Sequence, residues 1–293
     1  MTATAGSALV TALSDDVDRL LAAEPEVRSD APDSVHQMRV ATRRLRSVLR
    51  SYRGLFQKDP VRAMGEELKW LAGVLGVARD AEVMADRFEK LLAKHGAQGE
   101  HSAEERAAVT ARLVTGEHEK YAAAHAAVLL ALDSERYRRL REQLTDWRSD
   151  PPLRSSRATV PAVDFFGVVL ERDRDRVEDL IRQETTVTAT DRVELLHDIR
   201  KSAKRLRYSC EAAEPALGDA AGELGKNAKR LQTVLGDHRD AVESQHAIYG
   251  VAADAGAAGE ETGLYRVLAG AEDLAARQAL SGYPDAAAAL SAG

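Results

Sequence analysis

Apolar residues return every three or four positions along most of the chain, the period of amphipathic helices rather than of strands. The pattern predicts helices at about 7–23, 34–53, 60–78, 80–95, 103–131, 133–147, 161–183, 191–213, 219–236, 238–253 and 260–281, and hence an all-α fold. Ser34 followed by Gln37, and Asp191 followed by Glu194, read as capping boxes. Pro60 and Pro161 fall where a first helical turn tolerates proline. The clearest interruption is 148–161, where Pro151, Pro152 and Pro161 occur without an apolar period, and it reads as a linker. The stretches 96–102 and 254–263 read as mobile interhelical loops, and the alanine-rich tail after Pro284 as frayed.

Two of these helices share an unusual string. Val35-His36-Gln37-Met38-Arg39-Val40-Ala41-Thr42-Arg43-Arg44-Leu45-Arg46 is matched 161 residues later by Leu196-His197-Asp198-Ile199-Arg200-Lys201-Ser202-Ala203-Lys204-Arg205-Leu206-Arg207. A second pair, Leu75-Gly76-Val77-Ala78-Arg79-Asp80 and Leu235-Gly236-Asp237-His238-Arg239-Asp240, repeats at an offset of 160. Two motifs in one order at nearly one offset imply two homologous halves, 1–150 and 162–293, joined by the linker into a single domain over 1–293.

The repeated string has a definite shape on a helix. At 100° per residue, His36, Arg39, Arg43, Arg46, Arg50 and Arg53 fall in an arc of about 100°, beside an arc of Met38, Ala41, Leu45, Val48, Leu49 and Tyr52. Each copy is therefore a helix with a packed face and a cationic face. From His36 to Arg50 the stripe rises about 21 Å, too long for a single phosphate to fill. Arginine predominates, and its planar fork can grip two phosphate oxygens at once. The candidate anion-binding residues are His36, Arg39, Arg43, Arg46 and Arg50, with His197, Arg200, Lys204 and Arg207. If a pseudo-two-fold axis relates the halves, both stripes face a common groove or pore. His36 and His197 either contact the ligand or hydrogen-bond within their own helices. Arg44, Lys201 and Arg205 lie about 80° to 100° off the stripe, as rim contacts or solvated side chains. Arg53 extends it, and Arg79 and Arg239 either complete the site or pair with acids.

Net charge is −6, which by itself argues against a polyanion ligand. Its distribution reverses that inference: residues 36–53 carry six arginines and no acid, residues 197–208 carry +4, and the remainder holds −16. Hydrophobic residues make up 44% and charged residues 30%, as in a soluble helical protein. Cys210, the only cysteine, sits on an apolar arc and reads as a buried thiol. No export signal and no run of 18 apolar residues is present, so a cytoplasmic protein without a membrane segment is expected.

The His-x-x-Arg-x-x-x-Arg/Lys-Arg-Leu-Arg helix followed by Leu-Gly-x-x-Arg-Asp, present in both halves, resembles the CHAD domain, the conserved-histidine α-helical family, over nearly the whole chain. The resemblance implies two helical bundles of about four main helices each, related by pseudo-two-fold symmetry around a basic central groove or pore. It also implies binding of inorganic polyphosphate, often at polyphosphate granules, with polyphosphate-metabolising enzymes as partners. Carried over, the family's histidines are His36 and His197, and its basic stripe is Arg39, Arg43 and Arg46 with Arg200, Lys204 and Arg207. Some members carry an N-terminal CYTH triphosphatase domain. Here the first matching helix begins near residue 34 and no Glu-x-Glu-x-Lys string occurs, so a non-catalytic protein without cofactor or metal is expected.

Two other readings use the same residues. Glu194-Leu195-Leu196-His197 and Glu243-Ser244-Gln245-His246 are Glu-x-x-His strings of the kind found in di-metal helical bundles, although the charges of Arg200 and Lys204 oppose a divalent cation beside His197. Single-stranded nucleic acid could follow the same stripes, but such binders add aromatic platforms, and aromatics are 4% of this chain.

Overall fold

The computed structural model describes residues 3–97 and 101–291, and among these no strand is present, only two isolated bridges. Twelve α-helices run in order: α1 (Ala5–Arg28), α2 (Ser34–Ser51), α3 (Lys58–His95), α4 (Ala103–Thr110), α5 (Gly116–Leu132), α6 (Glu135–Trp147), α7 (Ser155–Ala158), α8 (Ala162–Glu184), α9 (Ala189–Leu217), α10 (Asp219–Ala257), α11 (Gly263–Ser281) and α12 (Tyr283–Ser291). A 3-10 turn, Arg53–Leu55, follows α2, and a π turn, Ala111–Thr115, joins α4 to α5.

Several predicted boundaries move. The helices predicted at 60–78 and 80–95 are one, α3, and those at 219–236 and 238–253 are one, α10. Gly76 and Gly236 are buried beside Leu75 and Leu235, so packing holds the helix where local propensity would let it break. Neither predicted capping box forms. Asp33, at φ 62°, stands at the N-cap of α2 and accepts from Gln37 Nε2 at 2.7 Å, while Ser34 is already helical. Thr188 caps α9, accepting from the Asp191 amide at 3.3 Å. The tail predicted to fray is α12: Ala286 and Leu290 are buried, and Asn227 Nδ2 donates to the Ala289 carbonyl at 3.1 Å.

The predicted linker is pinned along its length. The Gln57 amide donates to Pro152 O at 2.9 Å, the Arg154 amide to Leu55 O at 2.7 Å, and the Ala5 amide to Val160 O at 2.8 Å. Gly6 faces Ala158 so closely that an added Cβ would lie 2.8 Å from the alanine Cβ. Of the predicted loop at 96–102, residues 98–100 lie outside the described residues. The predicted loop at 254–263 shortens to 258–262 and is tied down, with the Glu260 amide donating to Ala255 O at 3.0 Å.

The chain divides into two compact units, and neither is one half of the sequence. The first comprises residues 1–75, 128–232 and 285–293, and the second comprises 76–127 and 233–284, so the division falls inside α3, α5, α10 and α12. In the first unit, α1 packs on α2, α8 on α9, and α2 on α9. Leu9, Leu13 and Leu20 of α1 are buried with Met38, Leu45 and Leu49 of α2 and Ile199 and Leu206 of α9. Each such side chain contributes about 1.5–3 kcal/mol by leaving water. The second unit has its own core, built from Phe88, Val109, Leu113, Ile248, Leu264, Tyr265 and Leu268.

Candidate anion-binding cleft

The first unit places both basic helices side by side because their apolar faces share its core. A buried polar knot fixes their register. The Asp173 carboxylate of α8 accepts from Ser51 Oγ of α2 at 2.8 Å, from Ser209 Oγ of α9 at 2.9 Å, and from Arg205 of α9 at 2.5 Å. Burial alone would raise the Asp173 pKa, but Arg205, Ser51 and Arg172 outweigh it and hold the group ionised below the usual carboxylate range. Tyr52 Oη donates to the Ser209 carbonyl at 2.8 Å, and its ring lies 4.6 Å from that of Phe166. Ser51, Tyr52, Asp173 and Ser209 are all buried.

Above this packing lies a cleft of about 1100 Å³, wholly within the first unit. Its wall carries Arg43, Arg46, Arg50 and Arg53 from α2 and the turn after it, and Lys201, Lys204 and Arg205 from α9. Lys58, Arg62 and Lys69 of α3, Arg154 of the former linker and Arg176 of α8 complete a set of twelve cations against two acids, Glu66 and Asp198. Asp198 is already paired with Lys201 at 2.6 Å. Among the described residues, no aromatic side chain lines it.

The cations at the heart of this wall are held against their electrostatic preference. Burial lowers the pKa of Arg43, with Arg39, Arg200 and Arg46 adding repulsion. Burial likewise lowers those of Arg46, where Glu66 partly offsets it, and of Arg50, which also faces Arg205, Arg176 and Arg53. Lys204 is brought down to about 6, first by burial and then by Arg43, Arg200, Arg39 and Arg207. None of Arg43, Arg46, Arg50 and Lys204 forms an ion pair among the described residues. Part of the compensation is the Tyr208 ring, whose centroid lies 5.1 Å from the Arg207 guanidinium, 5.5 Å from that of Arg44 and 5.7 Å from Lys204 Nζ.

The remaining predicted site residues are distributed unevenly. Arg39, Arg200 and Arg207 do not line the cleft, though they act electrostatically on Lys204. Arg207 pairs with Glu211 at 2.7 Å. Arg44, read as a rim or solvated residue, is instead an anchor: its Nε bonds buried Asp16 at 2.8 Å and its Nη1 bonds Glu211. His36 and His197 are half-buried, lie outside the lining and interact with other protein groups. Arg79 and Arg239 belong to the second unit, where Arg79 meets Glu82 at 2.8 Å and Arg239 meets Glu243 at 2.6 Å. Cys210 is buried, and burial pushes its thiol up to about 12.

Sequence reasoning missed the contributions of α3, α8 and Arg154. Lys58, Arg62 and Lys69 are spaced four and seven apart, one helical face, but Asp59, Glu66 and Glu67 between them make the segment read as ordinary mixed surface. Arg176 is hidden in the same way among the alternating acids of α8. Of the two Glu-x-x-His strings, one falls in each unit, and among the described residues no group of three His, Cys, Asp or Glu is arranged to hold a metal ion. No described helix is long and apolar enough to cross a membrane.

Comparison with known proteins agrees with this architecture. The chain is 39% identical over 275 residues to uncharacterized proteins MT2285 and Rv2226 from two strains of Mycobacterium tuberculosis, covering 91% of this chain but only 50% of theirs, so it spans about half their length. Its fold is similar to that of PptA from Streptomyces chartreusis, at a TM-score of 0.74 and 20% identity over 97% of this chain and 99% of that one. It is also similar to the CHAD domain from the plant Ricinus communis, at 0.71 and 23% over 100% and 93%. The CHAD domain family model matches residues 11–249, a span that contains both copies of the basic helix, and the chain belongs to that family.

Proposed function

We propose that the cleft binds inorganic polyphosphate, holding it without chemical change. The observation that carries this reading is the cluster of Arg43, Arg46, Arg50 and Lys204, drawn from both basic helices, partly desolvated and without an ion pair among the described residues. A polyanion would relieve that repulsion and gain charge-assisted bonds. The set of twelve cations suits a chain of many phosphates better than one. Bare phosphate is favoured over single-stranded nucleic acid by the absence of any aromatic side chain in the lining on which a base could stack.

The two halves act in this reading as pseudo-two-fold copies within one domain, each lending its striped helix to a shared basic groove. Residence at polyphosphate granules and encounters with polyphosphate-metabolising enzymes follow from the same reading. Calorimetric titration tests it. Long polyphosphate should bind at least about 100-fold more tightly than triphosphate or ATP, since it engages many sites at once. Affinity should also fall steeply between low and physiological salt as counterions are released. Similar affinity for all three ligands, or stronger binding of single-stranded DNA, would overturn it.

A further inference from the structure

Lys204 differs from the arginines of the cleft because an amine can react, whereas a guanidinium stays protonated, and from Lys58, Lys69 and Lys201 because those three are exposed while it is half-buried. It lines the cleft from α9, with Arg39 and Arg43 facing it from α2, and Arg200 and Arg207 flanking it on its own helix. The acids close in sequence are occupied elsewhere: Asp198 holds Lys201 at 2.6 Å, and Glu211 holds Arg207 at 2.7 Å and Arg44 as well. Tyr208 is buried beneath, its ring centroid 5.7 Å from Nζ. A desolvated lysine among other cations is the environment that turns a side-chain amine into a nucleophile at neutral pH.

We propose that Lys204 is a modification site, an amine acylated by small acyl phosphates whose phosphate group docks on Arg43 and its neighbours in the cleft. The unprotonated Nζ attacks the acyl carbon, the bond from that carbon to the phosphate oxygen breaks, and inorganic phosphate leaves with the electron pair. The nitrogen sheds one proton to solvent, and no oxidant or reductant takes part. The inference rests on the anion affinity of the cleft but requires only one phosphate, not a long chain. Acylation stops Lys204 from taking up the proton that a bound polyanion would draw onto it, and so weakens polyanion binding.

At pH 7.5 an ordinary surface lysine is only about 0.1% unprotonated. Lys204, brought down to about 6, is almost wholly the amine at that pH. Its lower basicity takes back part of this roughly thousandfold advantage, as it does for thiols. Lys226 is the internal reference: it is exposed and paired with Glu223 at 2.6 Å, a hydrogen bond that raises its pKa.

The test incubates the full chain with acetyl phosphate and follows each lysine by peptide mass spectrometry. Lys204 should acquire acetyl groups at least about tenfold faster than Lys226. Its rate should climb through pH 6 and level off by pH 7.5, while that of Lys226 keeps rising about tenfold per pH unit. Pyrophosphate should slow the reaction at Lys204 but not at Lys226. Arg43→Gln should slow it too and move its pH midpoint upward, because one repelling charge is gone. Equal rates at Lys204 and Lys226 would overturn the proposal. So would selective labelling by the uncharged N-hydroxysuccinimide acetate but not by acetyl phosphate, since the amine would then be reactive without phosphate docking. Selective acetyl phosphate labelling in a chain that fails to bind polyphosphate would sink the polyphosphate reading and leave this one standing.

Discussion

The second unit and the cleft of the first treat arginine in opposite ways. In the second, Arg87 grips buried Glu272 with two bonds of 2.5 Å, and Arg112 grips Glu260 at 2.8 and 2.5 Å. Hydrogen bonds to those carboxylates raise the pKa of both arginines. In the cleft, burial lowers Arg43, Arg46 and Arg50, and none of them forms an ion pair among the described residues. A half-buried arginine with a partner holds structure together. A cluster of arginines without one carries an uncompensated repulsion, which in the proposed reading an anion from outside relieves. Function in this chain is therefore read less from where arginine occurs than from where its counter-charge is missing.

The contrast can be broken most forcefully by reversing the unpaired charges. Arg43→Glu, Arg46→Glu and Arg50→Glu together should lower polyphosphate affinity by more than about 1000-fold, or roughly 4 kcal/mol, in calorimetric titration. Arg138→Glu with Arg139→Glu, on exposed residues paired only to Glu135 of their own helix, should leave affinity within about twofold. Equal losses in the two variants would mean attraction by overall charge rather than by the cleft.

In the second unit the loss should fall on stability instead. Arg87→Ala strands the buried Glu272 carboxylate and should cost about 3 kcal/mol in denaturant unfolding, with polyphosphate affinity unchanged. A clear drop in affinity in a still-folded variant would show that the division of roles between the units is wrong.

Removing one unpaired charge should have the reverse sign. The folded-state pKa of Lys204 lies below its unfolded value, so the unfolded chain holds the extra proton between about pH 6 and pH 10 and the wild-type side chain destabilises the fold most at low pH. Lys204→Met should thus gain most in stability over wild type near pH 6, with the gap narrowing toward pH 9, while binding polyphosphate more weakly. Thermal unfolding across that range checks it, and a gap that widens with pH would contradict the assignment.

The smallest effect sharpens the comparison charge by charge. Arg46→Gln should reduce the slope of log affinity against log salt by about 0.7 to 0.9, one released counterion. Arg112→Gln, in the second unit, should leave the slope as it was.

Periodicity made the helices and the two cationic stripes legible, because both are local properties: side chains three and four apart share a face whatever the rest of the chain does. The same local rules placed breaks inside α3 and α10 and frayed α12, since burial of Leu75, Leu235, Ala286 and Leu290 against distant residues is what continues those helices. Arg43 and Arg44 carry the lesson furthest. Adjacent in sequence and alike in chemistry, one lines the cleft with other cations around it while the other is bound by Asp16 and Glu211, 28 and 167 residues away. The sequence by itself determined that α2 and α9 each bear a packed face and a positive face. Only the tertiary structure decided which of those charges are neutralised, because a counter-charge comes from whichever helix packs alongside, and that is a long-range outcome no local pattern records.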